Sequence, residues 1–161
     1  MMKYIFSLFF LITSLSVNAQ TKMSELFKEM PDSLIPLLTK NNRLDMIDFR
    51  EAKMKAVVTN LLEGDSEMTF LSDDSLSIRM NEALNVDMFL AKTEDEYDGF
   101  RTVICMKNTY LLSSAIEKEN VLSYYSWQWR PLSHPRLLKS YKAESTVLSK
   151  DNELVSKEIC R

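Results

Sequence analysis

Between Lys55 and Trp129 the sequence repeatedly alternates apolar and polar residues with a period of two, and the breaks between these stretches are only a few residues long. Ala56 to Leu62 is apolar and β-branched. Met68 and Phe70 are set against Glu67, Thr69 and Leu71. Leu76, Ile78 and Met80 alternate with Ser77, Arg79 and Asn81, and Val86, Met88 and Leu90 with Asp87, Phe89 and Ala91. Phe100 to Tyr110 and Val121 to Trp129 follow as two longer runs. Side chains alternate across a strand, so each run reads as a strand with one buried face. Parallel neighbours need crossovers of about a dozen residues or more, and the breaks leave no room for them. The chain is therefore confined to an antiparallel meander.

The turn residues agree. The protein has only two glycines, Gly64 beside Asp65 and Gly99 after Asp98, and both fall where a hairpin favours positive φ. The run from Thr93 to Gly99, with Glu94, Asp95, Glu96 and Asp98, reads as an acidic loop. So few glycines, with four prolines, argue against disorder, linkers and repeats.

Ahead of the strands lies Met23 to Phe49, whose period is helical. Met23, Leu26, Phe27 and Met30 fall at i, i+3, i+4 and i+7, one stripe of a helix that Pro31 then stops. Asp32 or Ser33 can cap a following turn in which Leu34, Ile35, Leu37 and Leu38 crowd together. Asn42 and Asp45 have the spacing of a capping box for a second helix running to about Lys53. Elements this short do not hold in water unaided, so they must pack on the sheet. The expected fold is α+β, with N-terminal helices on a curved antiparallel meander of about six to eight strands that either stays open or closes like a barrel.

The start of the chain has a different character. Lys3 precedes an uncharged apolar run, and Val17-Asn18-Ala19 has the small or branched residues that signal peptidase reads. Residues 1–19 are expected to be a cleavable signal, leaving 20–161 as a single globular domain in the periplasm or outside the cell. The run is shorter than the roughly 20 residues of a membrane span, so the mature protein is expected to have none. Loss of Lys3 would take the formal net charge of −3 to −4. With its basic residues scattered, such a chain has no footprint for nucleic acid.

The chain carries few residues arranged for chemistry. His134 is the sole histidine, between Ser133 and Pro135, which limits both metal sites and base-assisted nucleophiles. A Cys105/His134 pair would require Cys105 to leave the apolar run Val103 to Met106. No phosphate loop, nucleophile elbow or HExxH helix is present. No catalytic residue, metal or cofactor is assigned. Cys105 and Cys160 could pair in an oxidising compartment, where closing the loop is worth about 4 kcal/mol on the chain-entropy model. The competing reading makes Cys105 a small buried hydrophobe.

Two features remain as sites. Tyr125, Trp127 and Trp129 would alternate onto one face of a strand, with Arg130 next, as a stacking platform for a sugar or an apolar ligand; such a row is more commonly a core face. Asp45, Asp48 and Asp98 are carboxylates that could serve a hydrolase, against the plainer readings of an exposed helix face near Arg43 and Arg50 for the first two and a solvated hairpin tip for Asp98. Past Pro131 a helical turn near Leu137 to Tyr141 and strands at Thr146 to Leu148 and Glu153 to Cys160 are expected.

The run Met30-Pro31-Asp32-Ser33-Leu34, continuing through Pro36 to Asp45 and on to Ile47-Asp48-Phe49, resembles the opening of a Bacteroidales family of exported proteins, domain of unknown function 3256. Similar echoes fall at Lys55 to Asn60, Leu71 to Asp74 and Trp129 to Leu132. The resemblance implies secretion and a Bacteroidetes origin, and brings no catalytic residues. The residues themselves favour an exported, non-enzymatic binding or protein-interaction domain of unknown ligand and oligomeric state. The alternatives are a carboxylate-dependent hydrolase of the periplasm and a barrel-type carrier of a small apolar ligand or glycan.

Overall fold

A computed structural model describes residues 22–111 and 118–138. Helix α1 (Met23–Lys28) is followed by a 3-10 turn (Asp32–Leu34) and helix α2 (Lys40–Glu51). Seven strands come next: β1 (Ala56–Thr59), β2 (Asp65–Leu71), β3 (Ser75–Arg79), β4 (Leu84–Tyr97), β5 (Phe100–Leu111), β6 (Lys118–Tyr125) and β7 (Pro131–Leu132). They form one antiparallel sheet in sequential order, the meander that the short connections dictate. The fold is mostly β with few helices. Among the described residues β1 and β7 are its two edges, so the sheet does not close into a barrel.

The helical stripe packs as its spacing requires. Met23, Leu26, Phe27 and Met30 are all buried, in one core with Ile35, Leu38, Met46, Ile47 and the inner-face residues Met68, Leu76, Ile78, Val86, Met88 and Ile104. Full burial of a large apolar side chain contributes roughly 1.5–3 kcal/mol, which offsets the ordering of a six-residue helix that could not form alone. The backbone N–H of Met23 also donates to the carbonyl of Asp73 at 2.7 Å, fixing α1 to the β2–β3 turn.

Between the helices the sequence reading needs correction. Pro31, not Asp32 or Ser33, holds the N-cap position of the 3-10 turn, without a side-chain cap. The capping box of α2 begins three residues earlier than expected, at Thr39. Thr39 accepts from the Asn42 backbone N–H at 3.1 Å, while the Asn42 side chain accepts from the Thr39 backbone N–H at 3.0 Å. Asparagine thus does the work usually given to Glu or Gln at that position. Arg43 does not share an exposed face with the helical acids: it is 1% exposed and donates to the carbonyls of Met30 (2.7 Å) and Leu38 (3.2 Å) and to Asp32 (2.7 Å). It therefore binds the whole inter-helix segment to α2.

Three strand assignments shift. A register irregularity between Met68 and Phe70 turns Phe70 outward and brings Leu71 against the core, the reverse of strict alternation. The acidic stretch Thr93 to Tyr97 is part of β4 rather than a loop. It is held by a pairing of Thr93 with Leu137, by the Glu94 N–H on the Arg136 carbonyl, and by the Arg136 guanidinium on Asp95 and Glu94. Last, β6 ends at Tyr125, so the expected strand to Trp129 is replaced by a turn over Ser126–Arg130 and the short β7.

The glycine expectation holds at one of two places. Gly99 has φ +82°, but at the β1–β2 turn the left-handed residue is Glu63, at φ 62°, and not Gly64. Asn60 shapes that turn: its side-chain oxygen accepts from the N–H groups of Leu62 and Gly64.

The outer face carries a smaller core, Ala91, Val103 and Cys105, covered by Leu132, Leu137 and Tyr124 as the chain after β7 returns to the end of β4. Leu137 is thus extended rather than part of a helical turn. Cys160 and the expected strands at Thr146 to Leu148 and Glu153 to Cys160 lie outside the described residues.

Candidate binding site at a hairpin tip

The β4–β5 hairpin turns at Asp98 and Gly99, with φ 54° and +82°. Aspartate and glycine are the residues that tolerate this region at little cost. The turn after β6 closes on itself: the Ser126 N–H donates to the Arg130 carbonyl at 2.9 Å, and the Trp129 N–H to the Ser126 carbonyl at 2.9 Å. Trp129 has φ 59°, a region costly for a bulky residue, and its indole N–H donates to the Leu26 carbonyl of α1 at 3.0 Å.

These two turns clasp each other. The rings of Phe100 and Trp127 stack with centroids 4.1 Å apart and planes within 7°. The Trp127 indole N–H donates to the Thr102 carbonyl at 2.8 Å. The Gln128 backbone N–H donates to Asp98 Oδ2 at 3.3 Å, and the Arg130 guanidinium pairs with the same carboxylate. The Asp98 side chain is only 2% exposed, whereas that of Arg130 is 65% exposed. The acid is thereby a buried brace, and the cation remains in solvent with donors to spare.

The four residues expected as a platform consequently part company. Trp129 is buried in the main core, 5.7 Å from Tyr125 in a tilted contact. Tyr125 is half-buried against that core. Trp127 and Arg130 stay at the tip, joined by Phe100, which is 44% exposed. Phe100 and Asp98 were not legible as members; the Asp-Gly pair marks the turn, but nothing local names its partner across the sheet.

The acids behave differently from one another. Asp45 and Asp48 are exposed on α2, the helix against β1 and β2, while Asp98 is neutralised at the tip of β4 and β5, so the three do not converge. Among the described residues no group of three His, Cys, Asp or Glu could hold a metal ion. Cys105 is a free thiol with no exposure, and burial pushes it up to about 12. Tyr124 beside it is also raised to about 12, first by burial and then by the neighbouring thiol. His134 sits exposed on the returning chain, with φ 49°.

One polar group escaped the sequence reading. On the outer face Ser77 Oγ donates to Asp87 Oδ1 at 2.7 Å, and Lys107 Nζ lies 3.2 Å from Asp87 Oδ2, both charged side chains being largely shielded. The serine bonds to the carboxylate and not to the amine, so the lysine is not placed as its base.

Among the described residues no helix is long and apolar enough to cross a membrane. No curated protein matches the chain. A solved domain of an uncharacterized protein from Porphyromonas gingivalis is similar in structure, with a TM-score of 0.55 at 22% identity over 68% of this chain. The chain spans about half of that one, 52% of its length. The likeness shows the fold alone. The family described as a protein of unknown function, DUF3256, matches residues 14–158, nearly the whole length that carries the helices, the sheet and the clasp. On that extent of match, the chain belongs to the DUF3256 family.

Proposed function

We propose that this is an exported, non-enzymatic binding domain that engages its ligand or partner protein through the clasp of Phe100, Trp127 and Arg130. The observation that carries the reading is the parallel Phe100–Trp127 stack, partly in solvent and braced from beneath by Asp98. Aromatic rings fixed before binding lose little conformational entropy on contact, and aromatic and arginine side chains dominate interface energetics. Arg130, anchored by one nitrogen, offers its remaining donors to an acceptor beside the rings. Export rests on residues 1–19 and would leave Gln20 as the first residue, which the intact mass of the secreted chain tests.

The direct experiment screens the purified chain on a glycan array and a peptide array, against Phe100→Ser and Trp127→Ala. Binding that falls about tenfold or more in both variants, with unchanged circular dichroism, supports the reading. Hydrolysis of a glycoside or peptide, abolished by Asp45→Asn or Asp48→Asn, would replace it with the hydrolase alternative.

A further inference from the structure

The segment Pro131 to Leu138 crosses the outer face from β6 to the end of β4 and is fastened there chiefly through one side chain. Pro131 and Leu132 pair with Tyr125 and Tyr124, and Leu137 pairs with Thr93. At that point β4 has left its ladder: Lys92 pairs with Thr102 and Tyr97 with Phe100, so Thr93 to Glu96 stand against Arg101 alone. The returning segment fills the place that β5 leaves. The Glu94 N–H donates to the Arg136 carbonyl and the Leu138 N–H to the Lys92 carbonyl, each at 2.9 Å. Arg136 grips the acids with all three nitrogens: Nε donates to Asp95 Oδ2 at 2.9 Å, a second nitrogen contacts Asp95 Oδ1, and the third lies 3.2 Å from Glu94. Beneath, Leu132 and Leu137 rest on Ala91, Val103 and Cys105. Among the described residues this segment gives no apolar side chain to the main core.

We propose that Pro131 to Leu138 is a releasable strap with Arg136 as its catch: it leaves the outer face as one unit while the helices and the main core stay folded, and its release bares the outer core and the backbone of β4. The fastenings are of the kind that yields first. The side chains of Arg136, Glu94 and Asp95 are 67%, 51% and 37% exposed, and ion pairs so open to water contribute little and are screened by salt. His134, in the middle of the segment, sits at φ 49°, a conformation that release relaxes. The turn from which the strap springs is held separately, by the Trp129 indole on the Leu26 carbonyl. Opening therefore breaks one short ladder and a small apolar contact and leaves the larger core intact, which is how a local cooperative unit separates from the global fold. Released, the strap leaves the Lys92 carbonyl and the Glu94 N–H without their partners and uncovers the Cys105 thiol. The device stands independently of the binding reading.

Native-state hydrogen exchange followed by NMR tests this, with the amides of Glu94 and Leu138 reporting on the strap and the Trp129 indole N–H on the main core. In the wild type the two amides should give one shared opening constant, far larger than that of the indole. Arg136→Ala should raise it by about fivefold and leave the indole unchanged. Raising the salt to about 1 M should produce most of the same increase in the wild type and little in the variant, a comparison that does not depend on any substitution folding well. In a Cys160→Ser background a thiol reagent should label Cys105 with the opening constant of the strap. Unequal constants at Glu94 and Leu138, constants equal to that of the Trp129 indole, indifference to both Arg136→Ala and salt, or a Cys105 that is labelled only when the indole exchanges would each overturn the proposal.

Discussion

Trp129 donates its indole N–H to the carbonyl of Leu26 at 3.0 Å, joining the last turn of the sheet to the first helix of the fold across 103 residues of sequence. The bond sits in the main core, where Trp129 is 6% exposed. It explains how a tryptophan persists at φ 59°: the ring's burial and its hydrogen bond to α1 offset the backbone strain. Because Trp127 is two residues away in the same turn, the strained backbone that buries one indole also presents the other at the tip.

Replacing Trp129 with Phe keeps most of the apolar contact and leaves the Leu26 carbonyl unpaired. The expected cost is about 1–3 kcal/mol, measured by urea unfolding, with Trp129→Ala costing about 3–5 kcal/mol. Phe100→Ser, by contrast, should change stability by much less than Trp129→Ala, since Phe100 is 44% exposed.

Arg43 predicts a failure of conservative substitution. Its guanidinium serves two carbonyls and Asp32 at once from a buried position, a fork that an ammonium cannot reproduce. Arg43→Lys should therefore destabilise by nearly as much as Arg43→Ala, on the order of 2–4 kcal/mol in denaturant unfolding. Recovery of wild-type stability by lysine would show that charge alone suffices there.

The two glycines should respond differently to alanine. Gly99→Ala places a side chain at φ +82° and should cost about 1 kcal/mol. At Gly64 an added Cβ would meet only the Asn60 side chain, at 3.6 Å, so Gly64→Ala should be close to neutral. Glu63→Gly, at the residue with φ 62°, should be neutral or mildly stabilising. Thermal unfolding of the three variants checks the set.

Alkaline pH should weaken the fold through its outer core. Burial raises Cys105 from 9.0 to about 12 and Tyr124 from 10.0 to about 12. Both groups are neutral when protonated, and the folded state holds their protons more tightly than the unfolded chain. Their contribution is thus fully present below pH 9 and lost as pH rises toward 12. Unfolding free energy followed across that window should fall, and the fall should be shallower in Cys105→Ala and in Tyr124→Phe. The buried thiol should also react with a thiol reagent only as fast as the protein opens.

What was legible follows from period and punctuation. The stripe of Met23, Leu26, Phe27 and Met30 and the alternation of Leu76, Ile78 and Met80 each state their buried face locally, so the meander and the helices resting on it could be read directly. Thr93 to Tyr97 could not, because the charge that draws the acids into a strand is Arg136, some forty residues on. Phe70 misled because a register shift is a property of the pairing with β3 and not of β2. The site failed for a related reason: Tyr125, Trp127 and Trp129 have the spacing of a strand face, and only the hydrogen bonds of Ser126 make them a turn. Asp98 and Phe100 entered through contacts some thirty residues away.

The binding role of the clasp is tested most directly by placing the photo-crosslinking residue p-benzoylphenylalanine at position 100 in producing cells, with position 62, the still more solvent-open Leu62, as the control site. A discrete adduct is expected from position 100 that disappears when Trp127→Ala is added, and none of that size from position 62. No adduct at position 100, or the same adducts from both positions, would contradict it.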